Sequence, residues 1–153
     1  MKVKELDFES LEDFPLKWRW TDALWNKLPD EDLDKIRPLT SIEAAKLDEY
    51  SNEFVGDGGL LDTKFIDIDR IETSSDEETV NRWLGEKSDD NTQEIIVSWD
   101  KQLAVMIDWG TFRKYWDDFC YPASDDVAIF PTSAAWILFY FHDEYFEFGS
   151  LKT

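Results

Sequence analysis

The sequence predicts an α+β fold: an antiparallel sheet from the C-terminal half packed against helices, with a helical N-terminal region. Three observations predict it. Two pairs of apolar runs in the C-terminal half are separated by breaks of hairpin length. A ring-bearing segment between them has helical spacing. Upstream, two capping signals precede apolar stripes at helical spacing. No repeat or shift in composition divides the chain, so 1–153 reads as a single domain.

The first pair is Glu94–Trp99 (EIIVSW) and Leu103–Trp109 (LAVMIDW) around the polar Asp100, Lys101 and Gln102. Ile95, Ile96, Val97, Val105 and Ile107 are β-branched and suit a pleated, buried surface. The second pair is Trp136–His142 (WILFYFH) and Tyr145–Phe148 (YFEF), broken at Asp143–Glu144 and followed by Gly149. An Asp-Glu break lacks the glycine favoured by a two-residue primed turn, so a wider turn is expected.

Between the hairpins, Phe112, Tyr115, Trp116 and Phe119 place four rings on one face of a helix over Thr111–Phe119. Its other face offers Arg113–Asp117 and Lys114–Asp118, pairs worth only about 0.2–0.5 kcal/mol each, so ring burial decides the packing. Within Cys120–Pro131 (CYPASDDVAIFP), Val127–Phe130 reads as an edge strand, because Pro131 cannot donate to a ladder.

The upstream half is more broken. Leu6, Phe8, Leu11 and Phe14 are scattered through the charged Met1–Phe14, allowing a short helix near Phe8–Phe14. Leu16–Trp20 (LKWRW) alternates apolar and basic, so an extended segment gives Leu16, Trp18 and Trp20 one face. Trp25 and Leu28 fit a helical turn capped by Thr21. After Pro29, Asp30–Ile36 reads as a short acidic helix stopped by Pro38.

Thr40–Ser41–Ile42–Glu43 is a capping box for a helix over Ser41–Phe54, striped by Leu47, Tyr50 and Phe54 and stopped at Gly56–Gly59. Lys64–Ile71 reads as a strand with Phe65, Asp67, Asp69 and Ile71 on one parity and Ile66 and Ile68 on the other. Ser75–Asp76–Glu77–Glu78 opens a second helix, striped by Val80, Trp83 and Leu84 and closed at Gly85. A polar loop, Glu86–Gln93, follows.

Thirty-five acidic against 16 basic side chains leave a formal charge of −19. That balance argues against nucleic-acid backbone and anionic membrane, which need positive surface, and favours a basic protein partner met at a steered rate. Eight Trp, eleven Phe and five Tyr exceed what one small interior holds fully, so some rings are expected near the surface. Trp18, Trp20 and Trp25 are the candidate anchors, set against the simpler role of packing the N-terminal arm onto the sheet.

A single cysteine permits no intrachain disulfide and fits a reducing compartment. No apolar run reaches transmembrane length and MKVKELDFES lacks a signal-peptide core, so a cytoplasmic protein is expected.

Catalysis finds few candidates. His142, the only histidine, sits beside Asp143 and Glu144 after one strand, and Asp125 and Asp126 precede another. A shared sheet end would bring Asp125, Asp126 and His142 together as an acid/base or metal-binding cluster. HExxH, metal-spaced Cys/His sets and EF-hand loops are absent from the sequence, and no cofactor motif is present. Cys120 lies beside Asp117 and Asp118, which oppose a thiolate, so it reads as a structural thiol. The first reading is therefore a non-catalytic acidic protein-binding domain, an immunity or inhibitor protein in its concrete form. The alternative is a small hydrolase or metal-dependent enzyme using Asp125, Asp126 and His142.

Two blocks, Lys17–Leu39 and Cys120–Gly149, together with Ser98–Trp99–Asp100, resemble a bacterial family known by its number, domain of unknown function 2947. That resemblance implies a single-domain cytosolic bacterial protein and transfers no site residue. The stretch Trp136–Gly149, an apolar strand, a turn and an aromatic strand ending in Phe-Gly, is also similar to small acidic toxin-immunity proteins.

Overall fold

The computed structural model describes residues 5–74 and 76–152. A 3-10 turn at Leu11–Asp13 is followed by α1 (Trp18–Thr21), α2 (Asp30–Leu33), β1 (Arg37–Pro38) and α3 (Ser41–Asn52). A small hairpin of β2 (Val55–Gly56) and β3 (Gly59–Leu60) leads to β4 (Phe65–Glu72) and α4 (Glu77–Lys87). Then come β5 (Glu94–Ser98), β6 (Ala104–Asp108), α5 (Trp109–Lys114) and α6 (Trp116–Phe119). The chain closes with β7 (Val127–Pro131), β8 (Trp136–Phe141) and β9 (Tyr145–Leu151).

Seven strands form one sheet in the order β1-β6-β5-β7-β8-β9-β4, antiparallel throughout. Both expected hairpins are present, with Ile96 opposite Met106 in the first and Leu138 opposite Phe148 in the second. The second turn is wider than two residues. Glu144 adopts φ 68° and its N–H bonds to the Phe141 carbonyl at 2.9 Å.

Side chains alternate between two cores. Ile95, Val97, Val105, Ile107, Ile129, Leu138 and Tyr140 join one with Trp20, Val80, Leu84, Phe112, Trp116 and Phe119. Ile96, Met106, Ala128, Phe130, Ile137, Phe139 and Phe141 join the other with Leu39, Ala44, Leu47 and Phe65. The central strands are therefore apolar on both faces because both faces are covered. Helices α1, α4, α5 and α6 lie over one face, and α3 with the β2–β3 hairpin lies over the other.

The aromatic segment is the connection that carries the chain from β6 past β5 to β7. It is not one helix. Tyr115, at φ −125° and ψ 26°, breaks it into α5 and α6 while Phe112, Trp116 and Phe119 stay buried. Tyr115 instead sends its hydroxyl to the buried Asp32, and Lys114 reaches the same carboxylate at 3.3 Å. The expected local pairs give way to these: Lys114 bonds Asp32, and Arg113 bonds Asn91 at 3.2 Å.

Several expectations are corrected. β7 is central, between β5 and β8, since Pro131 falls at its end, beyond the residues paired with β8. Leu16–Trp20 is not extended: Trp18–Thr21 is helical, which buries Arg19 and Trp20 together. Thr21 ends that helix and donates its hydroxyl back to the Lys17 carbonyl, so it caps nothing downstream. Trp25 sits in a turn rather than a helix. The acidic helix after Pro29 forms, but only over Asp30–Leu33.

Thr40 caps α3 as expected, its side chain accepting from the Glu43 N–H. Gly56–Gly59 is more than a helix stop, since it builds the β2–β3 hairpin. A register shift between Phe65 and Ile68 breaks the parity read for β4, placing both in the α3-side core while Ile71 packs on the opposite side. For α4, Ser75 lies outside the described residues and Asp76 is the cap, accepting from the Glu78 and Thr79 N–H groups. The helix runs through Gly85 to Lys87. The short helix expected near Phe8–Phe14 contracts to Leu11–Asp13, and Met1–Lys4 of that stretch lie outside the described residues.

Candidate functional site, an aromatic patch over a buried arginine

The site begins with Arg19, 5% exposed on α1. Its guanidinium meets Asp125 through two hydrogen bonds, Nη1 to Oδ2 at 2.7 Å and Nη2 to Oδ1 at 3.2 Å. The Phe119 carbonyl accepts a further bond from Nη1 at 3.4 Å. Its Cζ lies 4.0 Å from the Tyr121 ring centroid, 5.5 Å from Trp18 and 6.0 Å from Trp99. A buried charge needs this much compensation, and the fork of a guanidinium supplies ion pair and ring contacts at once.

Asp125 is equally committed. It also accepts the Tyr121 N–H at 2.9 Å and the Ser124 hydroxyl at 3.2 Å, while its own N–H bonds the Tyr121 carbonyl at 3.1 Å. These bonds, with Ala123 at φ 70° and its N–H on the His142 carbonyl at 3.0 Å, fix the loop between α6 and β7. Arg19 and Asp125 thereby set where Tyr121 and Pro122 stand on the surface.

The turn after α1 completes the patch. The Asp22 carboxylate accepts the Leu24 N–H at 2.9 Å and its carbonyl accepts the Trp25 N–H at 3.0 Å. This Asx-type turn sends two apolar side chains outward. Leu24 is 88% exposed and Trp25 59%. Trp25 stacks with Tyr121 at 6.1 Å, and Trp18 meets Trp25 at 4.9 Å and the Tyr121 edge at 5.9 Å. Leu24, Trp25, Tyr121, Pro122, Ser124 and Asp118 line a cleft of about 400 Å³.

Asp118 is the polar group of that cleft. Its carboxylate accepts a bond from Asn26 Nδ2 at 2.7 Å, and it makes no ion pair among the described residues. Burial holds its pKa above the ordinary carboxylate value, repulsion from Asp117 and Glu77 adds to this, and the Asn26 bond opposes it. Burial likewise pushes the Tyr121 phenol up, against the pull of Arg19.

Of the three candidate anchors, the patch contains two. Trp18 is half-buried and Trp25 exposed, but Trp20 is fully buried and is corrected from anchor to core. It stacks on Phe14 at 5.9 Å, meets Phe119 at 5.0 Å and donates Nε1 to the Asp118 carbonyl at 3.1 Å. The alternation in LKWRW misled because a four-residue helix rotates Arg19 inward beside Trp20. Tyr121, Pro122, Leu24 and Asp118 were not foreseen. The Asp-x-Leu-Trp turn was the available signal for Leu24, whereas Tyr121 depends on a contact about a hundred positions distant in the chain.

The acid/base candidates meet only in part. His142 Nδ1 lies 2.9 Å from Asp126 Oδ1, which also accepts the His142 backbone N–H at 3.0 Å. Nε2 lies 3.5 Å from Asp143. Hydrogen bonding and charge from Asp126, then charge from Asp143, raise the His142 pKa above its ordinary value. Asp125 faces Arg19 instead of this pair. Among the described residues no three His, Cys, Asp or Glu side chains form a set able to hold a metal ion. Cys120 is buried, and desolvation followed by Asp125 pushes its thiol well above its usual range, which opposes formation of a thiolate. Comparison of the chain with family models, curated proteins and solved structures found no match.

Proposed function

We propose that the protein is a non-catalytic, acidic protein-binding domain whose partner is basic. The observation that carries this reading is the exposed Leu24–Trp25 pair, braced on Tyr121 over the Arg19–Asp125 pair and bordered by the Asp118 carboxylate. Exposed rings on a pre-formed base are the side chains that dominate interface energies, because little conformational freedom is lost when they are covered. The formal charge of −19 adds steering toward positive surface. Among the described residues no helix is long and apolar enough to cross a membrane. A role in the cytoplasm as an immunity or inhibitor protein is the concrete form of this proposal.

The test is capture from the native lysate on immobilised protein at low salt, with elution by a salt gradient. A basic protein retained by the wild type and lost on the doubly substituted Leu24→Ala, Trp25→Ala surface supports the reading. Recovery of no basic partner at low salt overturns it.

A further inference from the structure

The cleft beside Trp25 has an apolar wall and an unpaired acid, and the two together select one kind of side chain. Leu24, Trp25 and Pro122 offer surface to a hydrocarbon stem. Asp118 lines the same cleft. Its carboxylate is held by the neutral Asn26 amide at 2.7 Å and by no cation among the described residues. A half-buried carboxylate satisfied only by an amide gains more from an arriving cation than a solvated one does. Elsewhere in the fold the buried carboxylates Asp32, Asp125 and Glu43 have a Lys or Arg beside them, and Glu147 accepts the Leu60 backbone N–H.

The head group is further defined by the ring. Trp25 has one side on Tyr121 and Trp18 and remains 59% exposed, which leaves indole surface open to a flat cation. A guanidinium stacks on an indole and presents paired N–H donors to a carboxylate, whereas an ammonium offers only a point charge. Arg19 already shows this chemistry one layer below, against Tyr121 and Asp125.

We propose that this cleft takes an arginine side chain of the basic partner, its stem against Leu24, Trp25 and Pro122 and its guanidinium on Asp118. This rests on the protein-binding reading above and names the chemistry of the contact. The probe is an acetyl-Ala-Arg-Ala-amide tripeptide, compared with its citrulline and lysine counterparts. Binding is followed by the indole N–H resonance of Trp25, assigned from its loss in Trp25→Phe. The arginine tripeptide is expected to move that resonance saturably at millimolar concentration. Citrulline, which keeps the shape and drops the charge, is expected to bind about ten-fold more weakly, the factor that corresponds to about 1.4 kcal/mol. Asp118→Asn, whose fold is checked by the remaining resonances, is expected to lose a similar factor.

No saturable shift at Trp25, equal binding of citrulline, or lysine binding tighter than arginine would each overturn the assignment. A basic partner from the lysate that binds Asp118→Asn and wild type equally overturns the cleft and leaves protein binding standing. Charge-selective binding of the tripeptide supports the cleft even where the lysate yields no partner.

Discussion

Arg19 and Asp125 show how single residues in this chain reach across it. Either one alone would be a buried charge without a counter-charge, and removing one partner of such a pair costs about 3–5 kcal/mol. Arg19→Met and Asp125→Leu are each expected to lower the unfolding free energy, read by denaturant titration, by an amount in that range. The double substitution is expected to cost less than the sum, because no charge is left stranded. Additive losses would show that the pair is not coupled. A second residue-scale prediction concerns Asp32. The Tyr115 hydroxyl first, then Lys114 and Lys35, hold its pKa below the ordinary 3.8, with burial opposing. A depressed folded-state value gives stability that is present above the ordinary value and lost as pH falls through the folded one. Acid unfolding monitored from pH 5 downward is therefore expected to begin at higher pH and to flatten in Asp32→Asn, whereas an unchanged acid limb would remove Asp32 from the account.

At the scale of elements, the joints between the layers are the sensitive points. The β2–β3 hairpin is tied to β9 by Glu147, whose carboxylate accepts the Leu60 N–H at 2.9 Å. Gly59 beside it has φ 127°, and a Cβ there would lie 2.3 Å from the Glu147 carboxylate. Gly59→Ala combines backbone strain with that clash and is expected to destabilise by about 1–3 kcal/mol, read by thermal unfolding. A neutral result would mean that the hairpin is not held in this geometry. In α4, Asp76→Ala removes the acceptor for two backbone N–H groups and is expected to lower Tm, read by thermal unfolding. Asp76→Ser retains a capping oxygen and is expected to recover most of the loss. The capping signals were readable because a cap is a local hydrogen bond, and Thr40 behaved as read. The break at Tyr115 was not, because the hydroxyl of that residue bonds the carboxylate of Asp32, 83 positions away. For the same reason Val127–Phe130 reads as an edge strand in the sequence: strand order depends on where the α5–α6 connection lands, which no residue in the strand records.

For the whole molecule, the net charge acts on stability and on binding with opposite signs. Nineteen uncompensated negative charges repel one another most when the chain is compact. Raising salt from low to physiological strength is expected to stabilise the isolated protein by about 1 kcal/mol, which corresponds to roughly 2–4 °C in Tm for a chain of this size. The same salt is expected to weaken association with a basic partner. A fall in Tm with added salt would show that paired charges, not repulsion, dominate the surface. The two cores set a further property of the whole: substitutions in the α3-side core, such as Leu47→Ala, act on a different set of rings from those that support the aromatic patch.

The sequence by itself determined what depends on neighbours along the chain. The two hairpins, the cap at Thr40, the apolar strands and the net negative charge follow from period, propensity and charge over a few residues. The tertiary structure alone decided the strand order, the burial of Trp20, and the assembly of Trp25, Tyr121 and Asp118 around Arg19. Those depend on contacts between segments far apart in the chain, whose energies no local pattern encodes.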